Sequence, residues 1–218
     1  MATTYLALVN DVLARLREQQ VVLVNQNTYS SLIGKLVNDA KREVEDAWNW
    51  SVLRTTATVT TAASTYDYTL TGYGNRMKIL NVYDDTSNRF LEYKPKKDFL
   101  EFITLNDSTQ SGEPYYYTIT GANSDGDLTV QLYPIPDAVY SVKFDIVNPE
   151  AELSEDTDTT ALPKTPIVAL AWAKSIEERG EDGGIAVSSQ YGVAKQALGD
   201  AIAIEAGRRD DEITWNWV

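Results

Sequence analysis

The chain has 218 residues, enough to bury a sizeable core as one large domain or two small ones. It carries a net charge of −13, 19 basic residues with no cluster denser than Lys94-Pro95-Lys96-Lys97, and neither cysteine nor histidine. That balance argues against tight nucleic-acid binding, and it removes disulfides, thiol nucleophiles, thiolate metal sites and imidazole acid–base chemistry.

Apolar residues at three- and four-residue spacing (Leu6, Val9, Leu13, Leu16) predict a helix over residues 4–18, capped by Thr3 or Thr4. Residues 19–27 are rich in β-branched side chains without a helical stripe and read as an extended connection. A longer helix is expected from Tyr29 to Trp48, with Thr28 as its cap. Its apolar face is Tyr29, Ile33, Leu36, Val37, Ala40, Val44 and Trp48. Lys35, Asp39, Lys41, Arg42, Glu43, Glu45 and Asp46 read as mostly solvent-facing, with Arg42 and Asp46 spaced to pair across one turn. Trp48-Asn49-Trp50 closes the helix, and such aromatics plug a junction more readily than they anchor a partner.

Residues 51–147 change character: Thr, Val and Tyr dominate, and the period falls to about two. Strands are expected at Val52–Thr60, Tyr66–Thr69, Met77–Asp84, Phe90–Lys94, Tyr115–Thr120, Leu128–Tyr133 and Tyr140–Asn148. The last two should pair across the turn at Pro134-Ile135-Pro136. Pro95–Leu105 reads as a short helix and Asn106–Glu113 as an exposed loop. An acidic, solvated linker follows at 149–164, carrying Glu150, Glu152, Glu155, Asp156 and Asp158. Pro166 suits the first turn of a helix capped by Thr165, which stops near Gly180. Gly183-Gly184 permits a reversal into a last helix, Ile185–Arg208, striped by Tyr191, Ala194, Leu198, Ala201, Ile202 and Glu205.

The expected fold class is therefore α+β. N- and C-terminal helices (1–50 and 165–208) form a bundle, and an antiparallel β-sandwich-like domain (51–148) is inserted between them. The linker 149–164 leads back, and an extended tail, 209–218, follows. There is no apolar run long enough to span a membrane, and the first residues, Met1-Ala2-Thr3-Thr4-Tyr5, lack the pattern of a signal peptide.

No catalytic, cofactor or metal signature stands out, so the expectation is a protein that is not an enzyme and holds neither cofactor nor metal. Asp84-Asp85 sits in a hairpin turn, where Asp favours the backbone geometry. Asn123-Ser124-Asp125-Gly126-Asp127 has the acidic look of a calcium loop but lacks the EF-hand spacing and its terminal Glu, so it reads as a turn. Tyr115-Tyr116-Tyr117 could stack bases or sugars, but a strand would split the rings between its faces. The tail is the sharpest anomaly. Ile213, Trp215 and Trp217 alternate beyond the last helix and Val218 follows, a pattern suited to docking an extended segment on a partner. The competing arrangement folds the tail back on its own bundle.

Taken in order, the pieces resemble the head-to-tail adaptor (connector, head-completion) proteins of tailed bacteriophages, of the podovirus-like kind. The likeness runs through Val9-Asn10-Asp11, then Trp48-Asn49-Trp50 before Thr-rich strands, then Val130-Gln131-Leu132-Tyr133-Pro134-Ile135-Pro136-Asp137. Asn148-Pro149, Leu153-Ser154, Asp156 to Asp158 and Leu162-Pro163 follow in the same order. The resemblance implies a structural virion protein at the head–tail junction, assembled in the host cytoplasm. It implies a dodecameric ring of the chain beneath the portal protein, which prolongs the DNA channel and offers a platform to the next tail component, a nozzle or tail tube protein. Genomic DNA would pass without specific binding, no membrane is involved, and the tail residues Ile213, Trp215, Trp217 and Val218 would reach the portal. The competing readings are a tail-fibre or baseplate-type β-sandwich that binds carbohydrate or a receptor, and a hydrolase working through Asp84, Asp85, Asp125 and Asp127.

Overall fold

The computed structural model describes residues 2–101, 110–180 and 185–208, without the side chains of residues 185 and 186. In chain order the first elements are β1 (Thr3–Thr4), α1 (Tyr5–Arg15), α2 (Thr28–Ala47), β2 (Arg54–Thr60) and β3 (Asp67–Thr69). Then come β4 (Lys78–Asp84), β5 (Arg89–Phe90), β6 (Glu92–Tyr93), α3 (Lys96–Leu100) and β7 (Tyr116–Ala122). The chain continues through β8 (Leu128–Tyr133), β9 (Ser141–Val147), β10 (Thr159–Thr160), α4 (Lys164–Arg179) and α5 (Ile185–Ala206). The fold is mixed α+β, and it divides into a unit made of Met1–Val52 with Glu150–Val218 and a second unit, Leu53–Pro149. Among the described residues no helix is long and apolar enough to cross a membrane.

In the first unit, α4 packs against α1, α2 and α5. Thr4 caps α1 by accepting from the Ala7 N–H at 3.3 Å. The buried stripe of α1 is Tyr5, Leu8, Val9, Val12 and Leu13, so Leu6 and Leu16 flank the apolar face instead of defining it. The helix stops earlier than its periodicity predicts, because Arg17 adopts a left-handed φ of 57° and the Glu18 N–H returns to the Leu13 carbonyl. The expected extended connection contains a 3-10 turn at Val24–Gln26. Asn27, not Thr28, caps α2: its side chain accepts from the Ser30 N–H at 2.7 Å, and the Ser30 hydroxyl accepts from the Asn27 N–H. Asparagine outranks threonine at this position, and the reciprocal pair satisfies two orphan amides.

α4 begins two residues before the expected proline. Pro163 is its flanking residue and Pro166 its third, where a missing N–H still costs nothing. Thr165 is therefore inside the helix. Gly180, with φ 63°, closes it as expected. Eight of the sixteen residues of α4 are buried, from Pro166 to Ser175.

The second unit holds two four-stranded sheets, ordered β2-β9-β4-β5 and β3-β8-β7-β6. Pairing is antiparallel except between β6 and β7. Alternation places one face of each strand in a common core: Ala57, Val59, Val82, Val142, Phe144 and Ile146 from one sheet, Val130 and Leu132 from the other. Two expectations are corrected here. The predicted strand Phe90–Lys94 is two short strands, broken at buried Leu91. The Leu91 N–H bonds to Val82 in one sheet and the Glu92 N–H to Tyr115 in the other, so the chain changes sheets at that residue. Nor do β8 and β9 pair across the proline turn, because they lie in different sheets. Residues 134–140 form a crossover containing two prolines that cannot donate to a ladder. At the crossover's end the Thr61 N–H donates to the Tyr140 carbonyl.

The segment over Pro95–Leu105 is helical at Lys96–Leu100, with Phe99 buried edge-on to Tyr133 at 6.2 Å. Residues 102–109, and with them the rest of that expected helix and most of the expected loop, lie outside the described residues.

Candidate functional site

The segment read as a solvated acidic linker is a built part of the helical unit. Its β10 pairs with β1, Thr3 opposite Thr160 and Thr4 opposite Thr159. Tyr5 and Leu6, whose N–H groups have no partner within α1, donate instead to the carbonyls of Asp158 and Asp156. The Asp156 carboxylate accepts from the Val24 N–H at 2.9 Å and ties in the 3-10 turn. The Asp158 carboxylate accepts from the N–H groups of Ser154 and Glu155, both at 2.8 Å, and these amides hold it below its ordinary pKa. Leu153, Thr160 and Leu162 are the buried pegs of the strap. Asn38 grips it from α2, donating to the Leu153 carbonyl and accepting from the Leu153 N–H.

Lys41 and Glu45, expected in solvent, are 2% and 3% exposed, which makes their pairing decisive for the unit. The Lys41 ammonium donates to Glu45 at 2.6 Å and to the carbonyls of Glu150 and Ala151. Glu45 in turn accepts from the Glu150 N–H. The i,i+4 spacing of opposite charges among Val37, Ala40 and Val44 was the available sign of this clamp. Arg42 reaches Glu152 of the same strap at 2.7 Å.

The residues that carry the resemblance therefore hold structure. Asn10 bonds both the N–H and the carbonyl of Val21. Asp11 pairs with Lys164. Trp50 is buried, and its indole N–H donates to the Val44 carbonyl at 2.7 Å.

The carboxylates considered for chemistry are tied to backbone in the second unit. Asp84 is fully buried and accepts from the Thr86 N–H and the Ser87 hydroxyl. Asp85 pairs with Lys143 at 2.7 Å. Asn123 accepts from the N–H groups of Asp125 and Asp127, which closes the β7–β8 turn. Asp127 accepts from the N–H groups of Gly72 and Gly74, whose φ values of 87° and 67° suit glycine. Those amides depress its pKa, and a carboxylate occupied by amide donors is poorly placed to ligate a cation. Among the described residues no group of three or more carboxylates could hold a metal ion. The three tyrosines are split: Arg89 covers Tyr115, Lys94 lies over Tyr116, and Tyr117 packs edge-on to Tyr93 and Phe144.

The tail residues Ile213, Trp215, Trp217 and Val218 lie outside the described residues. What the structure places is the point from which they depart. The last turn of α5 is anchored by Glu205, buried and accepting from the Ser51 N–H at 2.7 Å, with Arg208 as its ion-pair partner. Beside it opens a groove of about 420 Å³, lined by Trp50, Val52, Leu162, Lys164, Ile204 and Arg208 among others. Val52 and Ile204 are 49% and 64% exposed, so the groove offers aliphatic surface to an occupant. Upstream, α5 is a helix rich in small and apolar residues whose buried members, among the described side chains, are Ala194 and Glu205. Val193, like Ile204, stands out from it into solvent.

No curated protein matches the chain. A family model described as SU10 adaptor protein matches residues 3–215, which takes in both units and nearly every motif named above. The chain belongs to the SU10 adaptor protein family, a family of phage head–tail adaptors.

Proposed function

We propose that this chain works by assembly alone: copies join into a ring beneath the portal protein, lengthen the DNA channel and present a platform to the next tail component. The observation that carries the reading is the family match across residues 3–215. Two features support the finer parts. α5 keeps apolar surface uncovered, including Val193 and the open positions Gly192 and Gly199, where a neighbouring backbone can approach closely. A net charge of −13 suits a channel wall that repels DNA and lets it slide. In this reading the inserted unit is a sandwich-like module on a helical ring body, the role is structural with no reaction to catalyse, and the portal receives Ile213, Trp215, Trp217 and Val218.

Mixing the purified chain with the portal protein of its own phage and weighing the complex by native mass spectrometry tests this. The expected product is a portal ring bearing one added chain per portal subunit. A chain that never joins the portal ring overturns the proposal. Deleting Ile213–Val218 should leave the fold unchanged by circular dichroism and weaken joining at least tenfold, and undiminished joining would remove the tail from the interface.

A further inference from the structure

We propose that, before any partner is met, the groove at the end of α5 is the seat of the chain's own segment Ile213–Val218, held in cis. The groove's exposed aliphatic surface comes from Val52 and Ile204, and buried Trp50 lines it as well. The segment supplies matching apolar side chains at alternate positions, Ile213, Trp215 and Trp217. Its lead-in carries Asp210, Asp211 and Glu212, and the groove's rim carries Lys164 and Arg208, 46% and 64% exposed at their side chains. Each therefore offers both apolar surface and charge, of opposite sign to the other's.

Tethering decides between this occupant and a second copy. Arg208 itself lines the groove, so the chain enters the segment from the groove's rim. The path from Arg208 to Ile213 spans up to roughly 17 Å when extended, enough to turn back across the opening. A tether this short gives an effective concentration on the order of millimolar, well above a second copy at micromolar. Exposed tryptophans are costly in a free chain, and the seat covers them until a partner offers a better one. The inference needs only the groove and the segment and stands apart from the adaptor reading.

Amide hydrogen exchange on the isolated chain tests it, comparing the full chain with a deletion of Ile213–Val218 and with the Trp215→Ala, Trp217→Ala double variant. Amides of residues 50–53, 161–164 and 201–208 should exchange at least threefold more slowly in the full chain, equally at 1 and about 50 micromolar protein. Both variants should lose that protection while keeping their circular dichroism spectrum. Equal exchange in all three chains overturns the proposal. Protection that vanishes on dilution also overturns it, and assigns the groove to a second copy instead. Because no portal is present, neither result bears on the assembly reading.

Discussion

The strap of residues 150–163 and the two sheets of the second unit are held by opposite means. The sheets share an apolar cluster in which Phe144, Ile146, Val130 and Leu132 are fully buried, and period-two alternation alone puts those residues there. The strap buries few apolar groups. Polar partners fix it: Asn38 on the Leu153 backbone, Lys41 on two carbonyls, and Asp156 and Asp158 on amides. An apolar cluster degrades gradually as methylenes are removed. A buried polar clamp fails when one member is lost, because the others remain desolvated and unpaired.

The sharpest test of that difference is Lys41→Met. Removing the ammonium strands Glu45 at 3% exposure, so the expected loss is about 3–5 kcal/mol of unfolding free energy, measured by urea denaturation. Adding Glu45→Leu should recover most of it, because replacing a whole buried ion pair by apolar groups is often close to neutral. Phe144→Ala is the counterpart in the sheets, with a similar expected loss of about 3–5 kcal/mol from burial and cavity together. There is no single second-site change that should rescue it. If Glu45→Leu fails to restore the Lys41→Met chain, the strap is not an ion-pair clamp.

A smaller effect is expected at Gly34. Alanine in mid-helix ordinarily gains about 1 kcal/mol over glycine. Here a Cβ would meet the Tyr5 hydroxyl and stand 2.9 Å from a Val24 methyl, both on buried residues. Overpacking of that kind costs about 1–3 kcal/mol, so Gly34→Ala should be net destabilising by about 1–2 kcal/mol in thermal unfolding. A raised melting temperature would show that the contact between α1, the 3-10 turn and α2 is loose.

The same contrast explains what could be read from residues alone. β8 was legible to its ends, Leu128–Tyr133, because alternation and a bounding Asp-Gly turn agree. The start of α1 at Thr4 and the stop of α4 at Gly180 were legible because cap chemistry is local. The sheet change at Leu91 was not, since a strand that swaps partners keeps its alternation. Neither was the separation of β8 from β9: pairing is long-range, and a proline turn between two strands reads like a hairpin. The strap was hidden for a third reason. Its carboxylates look solvated in a row, and only the folded contacts reveal that their donors are backbone amides, 132 positions away for Asp156 and four positions away for Asp158. The tail residues could be singled out as an anomaly because Ile213, Trp215 and Trp217 alternate beyond the last helix.

The smallest effect, and the one that places both units on a common scale, concerns Asp127 and Asp158. Each carboxylate accepts backbone N–H groups, and each has a lowered pKa for that reason. A depressed carboxylate pKa contributes stability above the unfolded value of about 3.9, and that contribution is lost as pH falls through the folded pKa. The double variant Asp127→Asn, Asp158→Asn keeps an acceptor oxygen at each turn but cannot ionise. The chain should therefore exceed the variant in urea midpoint at pH 7, and the gap should stay constant down to about pH 5. Below about pH 4 the gap should narrow, because protons then neutralise the carboxylates of the original chain and leave the variant's amides unchanged. Single variants assign the gap to one unit or the other. A gap that is the same at pH 3 and pH 7 would mean the amide cradles bind a charge no better than a dipole, and both turns would then owe their geometry to glycine and serine instead.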